Sequence, residues 1–215
     1  MNTSSPKLIA IAGNIGAGKT TLVSLLSKQF GWKAHFEAVD ENPYLEDFYK
    51  DMPRWAFPTQ IYFLQSRLIQ MLELHHLDET LIQDRTIYED AFIFARNLHQ
   101  SGIMADRDYD TYLRLFGGIK EMIRKPDLLI YLKASIPTLI KHIGNRGREY
   151  ESNISLKYLN DLNGHYEEWI ERYEEGELLI LDGDKLDLLN SPEDLGYIYQ
   201  RIQEKLGNNL FGTIS

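Results

Sequence analysis

The sequence predicts an α/β protein with a five-stranded parallel sheet flanked by helices. Short apolar runs alternate along the chain with longer amphipathic stretches, the pattern of strands connected by crossover helices. The first apolar run, Leu8-Ile-Ala-Ile-Ala12, breaks directly into a glycine-rich turn followed by a helical pattern. Helix breakers fall where such an alternation needs them: Gly31 after the first helix, Pro43 and Pro53 at helix starts, Pro126 before the fourth strand, and Pro192 opening the last helix.

In chain order, strands are expected at about 7–12, 34–37, 80–84, 127–132 and 178–181. The helices between them are expected at about 18–30, 43–50, 55–76, 86–100, 107–124, 135–144, 155–174 and 191–206. Ile61, Leu64, Leu68 and Leu72 give the third helix an apolar stripe. Gly117-Gly118 weakens the fifth and predicts a kink or break there. No internal repeat or linker divides the chain, so residues 1–215 are expected to form one domain. The basic segment Asn145-Arg-Gly-Arg148 is a candidate arginine lid, over about 145–151.

A net charge of −9 argues against a nucleic-acid-binding surface, because phosphate backbones attract basic patches. The chain has no cysteine, which excludes disulfides and thiolate metal sites. The start, Met1-Asn-Thr-Ser-Ser-Pro6, lacks a basic n-region leading into an apolar one, and no run approaches the ~18 apolar residues of a membrane span. The expectation is a cytoplasmic, soluble protein without membrane partners.

The turn after the first strand reads Gly13-Asn14-Ile15-Gly16-Ala17-Gly18-Lys19-Thr20 and continues into Thr21. This is a complete G-x-x-x-x-G-K-T phosphate-binding loop, set after a strand and before a helix. Its glycines let backbone N–H groups curl around phosphate oxygens, and the helix dipole points its positive end at the same anion. Lys19 can reach the terminal phosphates, and Thr20 offers a hydroxyl to Mg²⁺. ATP and Mg²⁺ are the cofactors this implies.

Ligands of open parallel sheets bind at the carboxyl ends of strands, and two strands here end in acids. Ala34-His-Phe-Glu37 places Glu37 to accept a proton from an acceptor hydroxyl, and Leu81-Ile-Gln-Asp84 places Asp84 as a metal-holding acid. Arg146 and Arg148 supply two planar donors around a flexible joint, suited to closing over phosphates. Gln60 and Arg67 share a helix face, as do Asp90 and Phe94. Together these four can form a nucleobase slot: Phe94 stacking, Gln60 at the base edge, and Arg67 paired with Asp90 behind. The residues alone leave two rivals open. One is a nucleoside monophosphate kinase; the other is a nucleotide switch, which would need an Asn-Lys-x-Asp base reader that the chain lacks.

From Gly13 to about Asp184 these motifs resemble, in order, the deoxynucleoside kinase family. The resemblance implies a P-loop kinase fold and transfer of a phosphoryl group from ATP to the 5′-hydroxyl of a deoxynucleoside. Glu37-Ala-Val39 is similar to the family's Glu-x-Val segment, implying Glu37 as base. Tyr49 and Glu151 match the pair that holds the sugar 3′-hydroxyl, and Trp55-Ala-Phe-Pro-Thr-Gln60 with Ser66-Arg67 matches the base-reading helix. Asp84-Arg85-Thr86 resembles the Asp-Arg-Ser signature, which implies Arg85 at the reacting end. Asp90 and Phe94 fall on base-contact and stacking positions, and Asp182-Gly183-Asp184-Lys185 resembles the loop over the donor adenine. A homodimer is implied as well. Ala38 and Thr86 depart mildly from the family pattern, and Lys141-His142 stands where many members place a further arginine. Ala91, a small residue after Asp90, favours purines, with deoxyadenosine as the expected first substrate.

Overall fold

The computed structural model describes residues 5–36, 41–74, 79–148, 151 and 154–207. Strands β1 (Leu8–Ala12), β2 (Lys33–His35), β3 (Leu81–Asp84), β4 (Leu128–Lys133) and β5 (Glu177–Asp182) form one sheet in the order β2-β3-β1-β4-β5. All pairings are parallel. β1 and β3 are buried along their whole length; β1 accordingly reads as an unbroken apolar run, whereas β3 opens on Leu81-Ile82 and ends in the buried polar pair Gln83-Asp84.

The helices are α1 (Lys19–Phe30), α2 (Leu45–Lys50), α3 (Met52–Leu74), α4 (Ile87–Glu89), α5 (Arg96–Gln100), α6 (Asp106–Lys120), α7 (Ile136–Arg146), α8 (Leu156–Glu171) and α9 (Pro192–Leu206). Successive side chains of β1 point to opposite faces. Ile9 and Ile11 pack with Leu22 and Leu26 of α1 and Ile198 and Ile202 of α9, whereas Ala10 and Ala12 meet Leu162 and Tyr166 of α8. A further cluster joins Leu64 of α3, Tyr88 and Ala91, and Tyr112 and Phe116 of α6.

Several expectations are corrected. The second strand ends at His35, and Glu37 lies outside the described residues. α6 passes through Gly117-Gly118 without a break, because Phe116 and Ile119 on either side are buried in the core. The helix expected over 86–100 is interrupted by a π-helical stretch, Asp90–Ala95. α7 continues to Arg146 and is capped by Gly147 at φ 68°, so the first lid arginine sits on a helix end and only Arg148 lies beyond it. No described helix is long and apolar enough to cross a membrane.

Candidate active site

The chain leaves β1 for β2 at one edge, returns through β3 beside β1, and then crosses to β4 on the other side. The switch point therefore falls between β1 and β3, where open parallel sheets bind ligands. Ile11 pairs in register with Asp84, and the Arg85 N–H donates to the Ile11 carbonyl at 2.9 Å. This brings the end of β3 against the start of the P-loop.

The loop itself is tightly held. Gly16 has φ 82°, and a Cβ there would stand 2.7 Å from the Leu139 carbonyl oxygen and 2.8 Å from Ile143. Conformation and space both demand glycine at this position. Asn14 braces the turn: its Oδ1 accepts from the Ile15 N–H (2.7 Å), and its Nδ2 donates to the Leu159 carbonyl (3.0 Å) and Asn163 Oδ1 (2.6 Å). The Ala17 N–H closes back on the Asn14 carbonyl at 3.1 Å, and Gly18, in the left-handed region, opens α1. Lys19, buried, donates from Nζ to the carbonyls of Gly13 (2.8 Å) and Asn14 (3.1 Å). Thr21 is half-buried in the first turn of α1.

At the switch point the Thr20 hydroxyl donates to Asp84 Oδ2 at 2.5 Å. Asp84 is 2% exposed, and its Oδ1 has no hydrogen-bond partner among the described residues. A buried carboxylate oxygen left free beside a threonine hydroxyl suits a hard divalent cation. Arg85 has φ 68°, the one positive value at a non-glycine residue among those described. That backbone, disfavoured for a side chain of this size, sets its guanidinium 4.1 Å from the Phe94 ring centroid.

A cavity of about 210 Å³ opens above these groups. Lys19, Thr20, Asp84 and Arg85 line it together with Tyr49, Gln60, Asp90 and Phe94. Arg146, Arg148 and Glu151 also reach it. Arg67 stands behind, 2% exposed, with Nε 3.4 Å from Asp90 Oδ2 and Nη1 donating to the Asp84 carbonyl at 2.9 Å. It thus ties the base slot to the acid at the end of β3. Gln60 is buried and its Oε1 lacks a partner among the described residues. The π-helical stretch carries both Asp90 and Phe94, and such widened turns recur at functional sites because they re-aim side chains within a helix.

The lid residues engage one another. Arg146 makes a two-point contact with Glu151 (Nη2–Oε1 2.5 Å, Nε–Oε2 3.1 Å), and Arg148 Nη1 lies 3.7 Å from Glu151 Oε1. His142 Nδ1 is 2.8 Å from the Gly16 carbonyl, so that nitrogen carries the proton, whereas Lys141 is exposed. Asp182, Gly183 and Asp184 do not line the cavity. They latch the β5–α9 loop to the end of β4: Gly183 N–H donates to the Lys133 carbonyl (2.7 Å), and Asp184 Oδ1 accepts from the Ser135 N–H (3.0 Å) and hydroxyl (3.1 Å). Hydrogen bonds from Thr138 and Ser135 hold the Asp184 carboxyl below its usual range, and Lys185 does the same for Asp182. Ala91 packs against Leu64 and Tyr112 away from the cavity, so its small size does not itself widen the base slot.

Two residues escaped the sequence reading. Tyr158 lines the cavity from α8, its hydroxyl pushed up by burial. Glu89, completely buried, binds the Gly13 N–H. Thr86-x-x-Glu89 is a capping-box pattern, so the signal for Glu89 was present in the sequence.

Comparison with known proteins agrees with this architecture. A family model described as deoxynucleoside kinase matches residues 9–207. The chain is 38% identical over 204 residues to a deoxyadenosine/deoxycytidine kinase of Bacillus subtilis, covering 94% of each chain. It is 38% identical over 208 residues to a deoxyguanosine kinase of Lactobacillus acidophilus, covering 93% of this chain and 90% of the relative. The structure of a deoxyadenosine kinase from M. mycoides, bound to dCMP and dCDP, superposes with a TM-score of 0.83 at 33% identity, covering 92% of this chain and 99% of the other. Matches this extensive, in sequence and in three dimensions, reflect common descent: the chain belongs to the deoxynucleoside kinase family and is a phosphotransferase acting on deoxynucleosides.

Proposed function

We propose that the chain transfers the γ-phosphoryl group of ATP to the 5′-hydroxyl of a deoxynucleoside whose base presents an amine beside an acceptor ring nitrogen, with deoxyadenosine preferred. The observation that carries this reading is Gln60, which lines the cavity and whose buried carbonyl oxygen has no hydrogen-bond partner among the described residues. An amide offers an acceptor beside a donor, the complement of the adenine amine and its neighbouring ring nitrogen. Cytosine presents the same pair, and the B. subtilis relative is described as acting on both deoxyadenosine and deoxycytidine. Phe94 would stack on the base, with Asp90 held in place by Arg67. Tyr49 and Glu151 are proposed to hold the 3′-hydroxyl.

On the donor side, the P-loop residues from Gly13 to Thr21 would wrap the phosphates, with Lys19 moving from the loop carbonyls to the β- and γ-oxygens. Thr20 and Asp84 would hold Mg²⁺, which neutralises charge on the triphosphate. Arg85 is proposed to steady the reacting oxygens, and Arg146 and Arg148 to close over the phosphates in exchange for their contacts with Glu151. Resemblance assigns the proton-accepting role to Glu37 and the adenine cover to the 182–184 loop. A single domain, a homodimer and a cytoplasmic location complete the proposal.

An ATP-consumption screen over the four deoxynucleosides and their ribose counterparts tests it. Deoxyadenosine is expected to give the highest kcat/KM, with deoxycytidine second. Highest turnover with thymidine or deoxyguanosine, or equal turnover of ribonucleosides, would overturn the assignment.

A further inference from the structure

Glu89 lies directly beneath the P-loop, is 0% exposed, and has no part in the phosphoryl transfer outlined above. Its Oε2 accepts from the Thr86 N–H (2.8 Å) and hydroxyl (3.2 Å). Its Oε1 faces the Gly13 N–H at 3.2 Å and the Tyr166 hydroxyl at 2.8 Å. The same tyrosine oxygen lies 2.8 Å from the Gly13 carbonyl.

A count of hydrogens decides the state of this cluster. The Tyr166 hydroxyl has one hydrogen, yet it stands at bonding distance from two acceptor oxygens. If Glu89 were ionised, one of those contacts would place two oxygens 2.8 Å apart with no hydrogen of its own between them. With a proton on Oε1, Glu89 donates to Tyr166, Tyr166 donates to the Gly13 carbonyl, and the Gly13 N–H still has a lone pair to bind. Every contact is then satisfied.

We propose that Glu89 is a neutral carboxylic acid that positions the P-loop for the phosphate donor, relaying a hydrogen bond through Tyr166 to the Gly13 carbonyl. A carboxylate in its place would put a negative charge under a loop that must receive a triphosphate, opposing Lys19. The acid form holds both the N–H and the carbonyl of the loop's first residue without that penalty.

Burial agrees in direction, raising the Glu89 carboxyl above its ordinary range against the opposing pull of Arg85 at the end of β3 and Lys19 of α1. The other groups facing it are the Thr86 N–H and Tyr166 of α8, with Tyr131 of β4 beyond; both tyrosines are held protonated by burial. Because the folded state keeps the proton more tightly than the unfolded chain, this contribution to stability is full at low pH. It falls away as pH rises through the folded value.

The test compares wild type with Glu89→Gln, Glu89→Ala and Tyr166→Phe. An infrared difference spectrum of wild type minus Glu89→Gln at neutral pH should show the carbonyl stretch of one buried carboxylic acid. The amide of Glu89→Gln can keep the Thr86 and Tyr166 contacts and loses that to the Gly13 N–H, so KM for ATP should rise about three- to tenfold. Tyr166→Phe should raise it about tenfold, and Glu89→Ala, which strands several buried groups, about a hundredfold or more. KM for the deoxynucleoside should move little in all three. A carboxylate band in place of the acid band would overturn the proposal. So would equal damage from Gln and Ala, or parallel increases in both KM values. Should Glu89→Ala fail to fold, the other two variants and the spectrum still decide. The kinetic comparison rests on ATP as donor, whereas the spectrum needs no substrate, so failure of that reading and failure of this one are distinguishable.

Discussion

Replacing Arg67 with methionine isolates the polar link between the base slot and the acid at the end of β3. Arg67 and Asp90 are 2% and 1% exposed, with Nε and Oδ2 3.4 Å apart. Removing one member of a buried ion pair costs about 3–5 kcal/mol, because the remaining charge keeps its desolvation penalty and loses its counterion. Loss of the Nη1 hydrogen bond to the Asp84 carbonyl adds about 1 kcal/mol. For a chain of this size, 1 kcal/mol corresponds to roughly 2–4 °C in Tm, so Arg67→Met should lower Tm by about 10 °C or more. Adding Asp90→Asn removes the stranded charge and should recover about half of the loss. Urea and thermal unfolding of the two single variants and the double variant measure this as a cycle. A loss below about 1 kcal/mol in Arg67→Met, or strict additivity in the double variant, would show that the pair is not energetically coupled and refute the reasoning.

Two further variants probe the donor side. Gly16→Ala forces a Cβ against the Leu139 carbonyl at 2.7 Å in a backbone with φ 82°, and should cost about 1–3 kcal/mol while raising KM for ATP; a melting curve and initial rates that match wild type would contradict the close packing of the loop on α7. Asp84→Asn can still accept the Thr20 hydroxyl but removes the carboxylate charge, whose Oδ1 has no partner among the described residues. Activity should fall by about 10²-fold or more with a higher Mg²⁺ requirement and a Tm close to wild type, and an unchanged Mg²⁺ titration would remove the cation from this site.

Much of the architecture was legible in the chain because its signals are local. Buried parallel strands read as apolar runs, and the glycines of Gly13–Gly18 mark a turn that no other residue type fits well. Asp84 was legible too, as the residue ending a strand. Two readings failed for a physical reason. Gly117-Gly118 looked like a helix break by propensity, and burial of Phe116 and Ile119 overrode it. The continuous helix expected over 86–100 became π-helical at Asp90–Ala95, a change of register with no propensity signature of its own.

The sequence by itself determined the sheet, the phosphate loop and the identity of most polar groups in the cavity, since each follows from spacing along one or two elements. Only the tertiary structure decided how those groups share hydrogens and charges. It ties Arg67 to the carbonyl of Asp84, turns Glu151 toward Arg146, sets Gln60 in the cavity wall with an oxygen unmatched among the described residues, and buries Glu89 under Gly13 beside Tyr166. The contacts of Arg67 with Asp84 and of Glu89 with Gly13 and Tyr166 join residues far apart in the chain. Whether a side chain is ionised, paired or left open depends on the solvent and partners that packing assigns to it, and one-dimensional spacing carries no record of either.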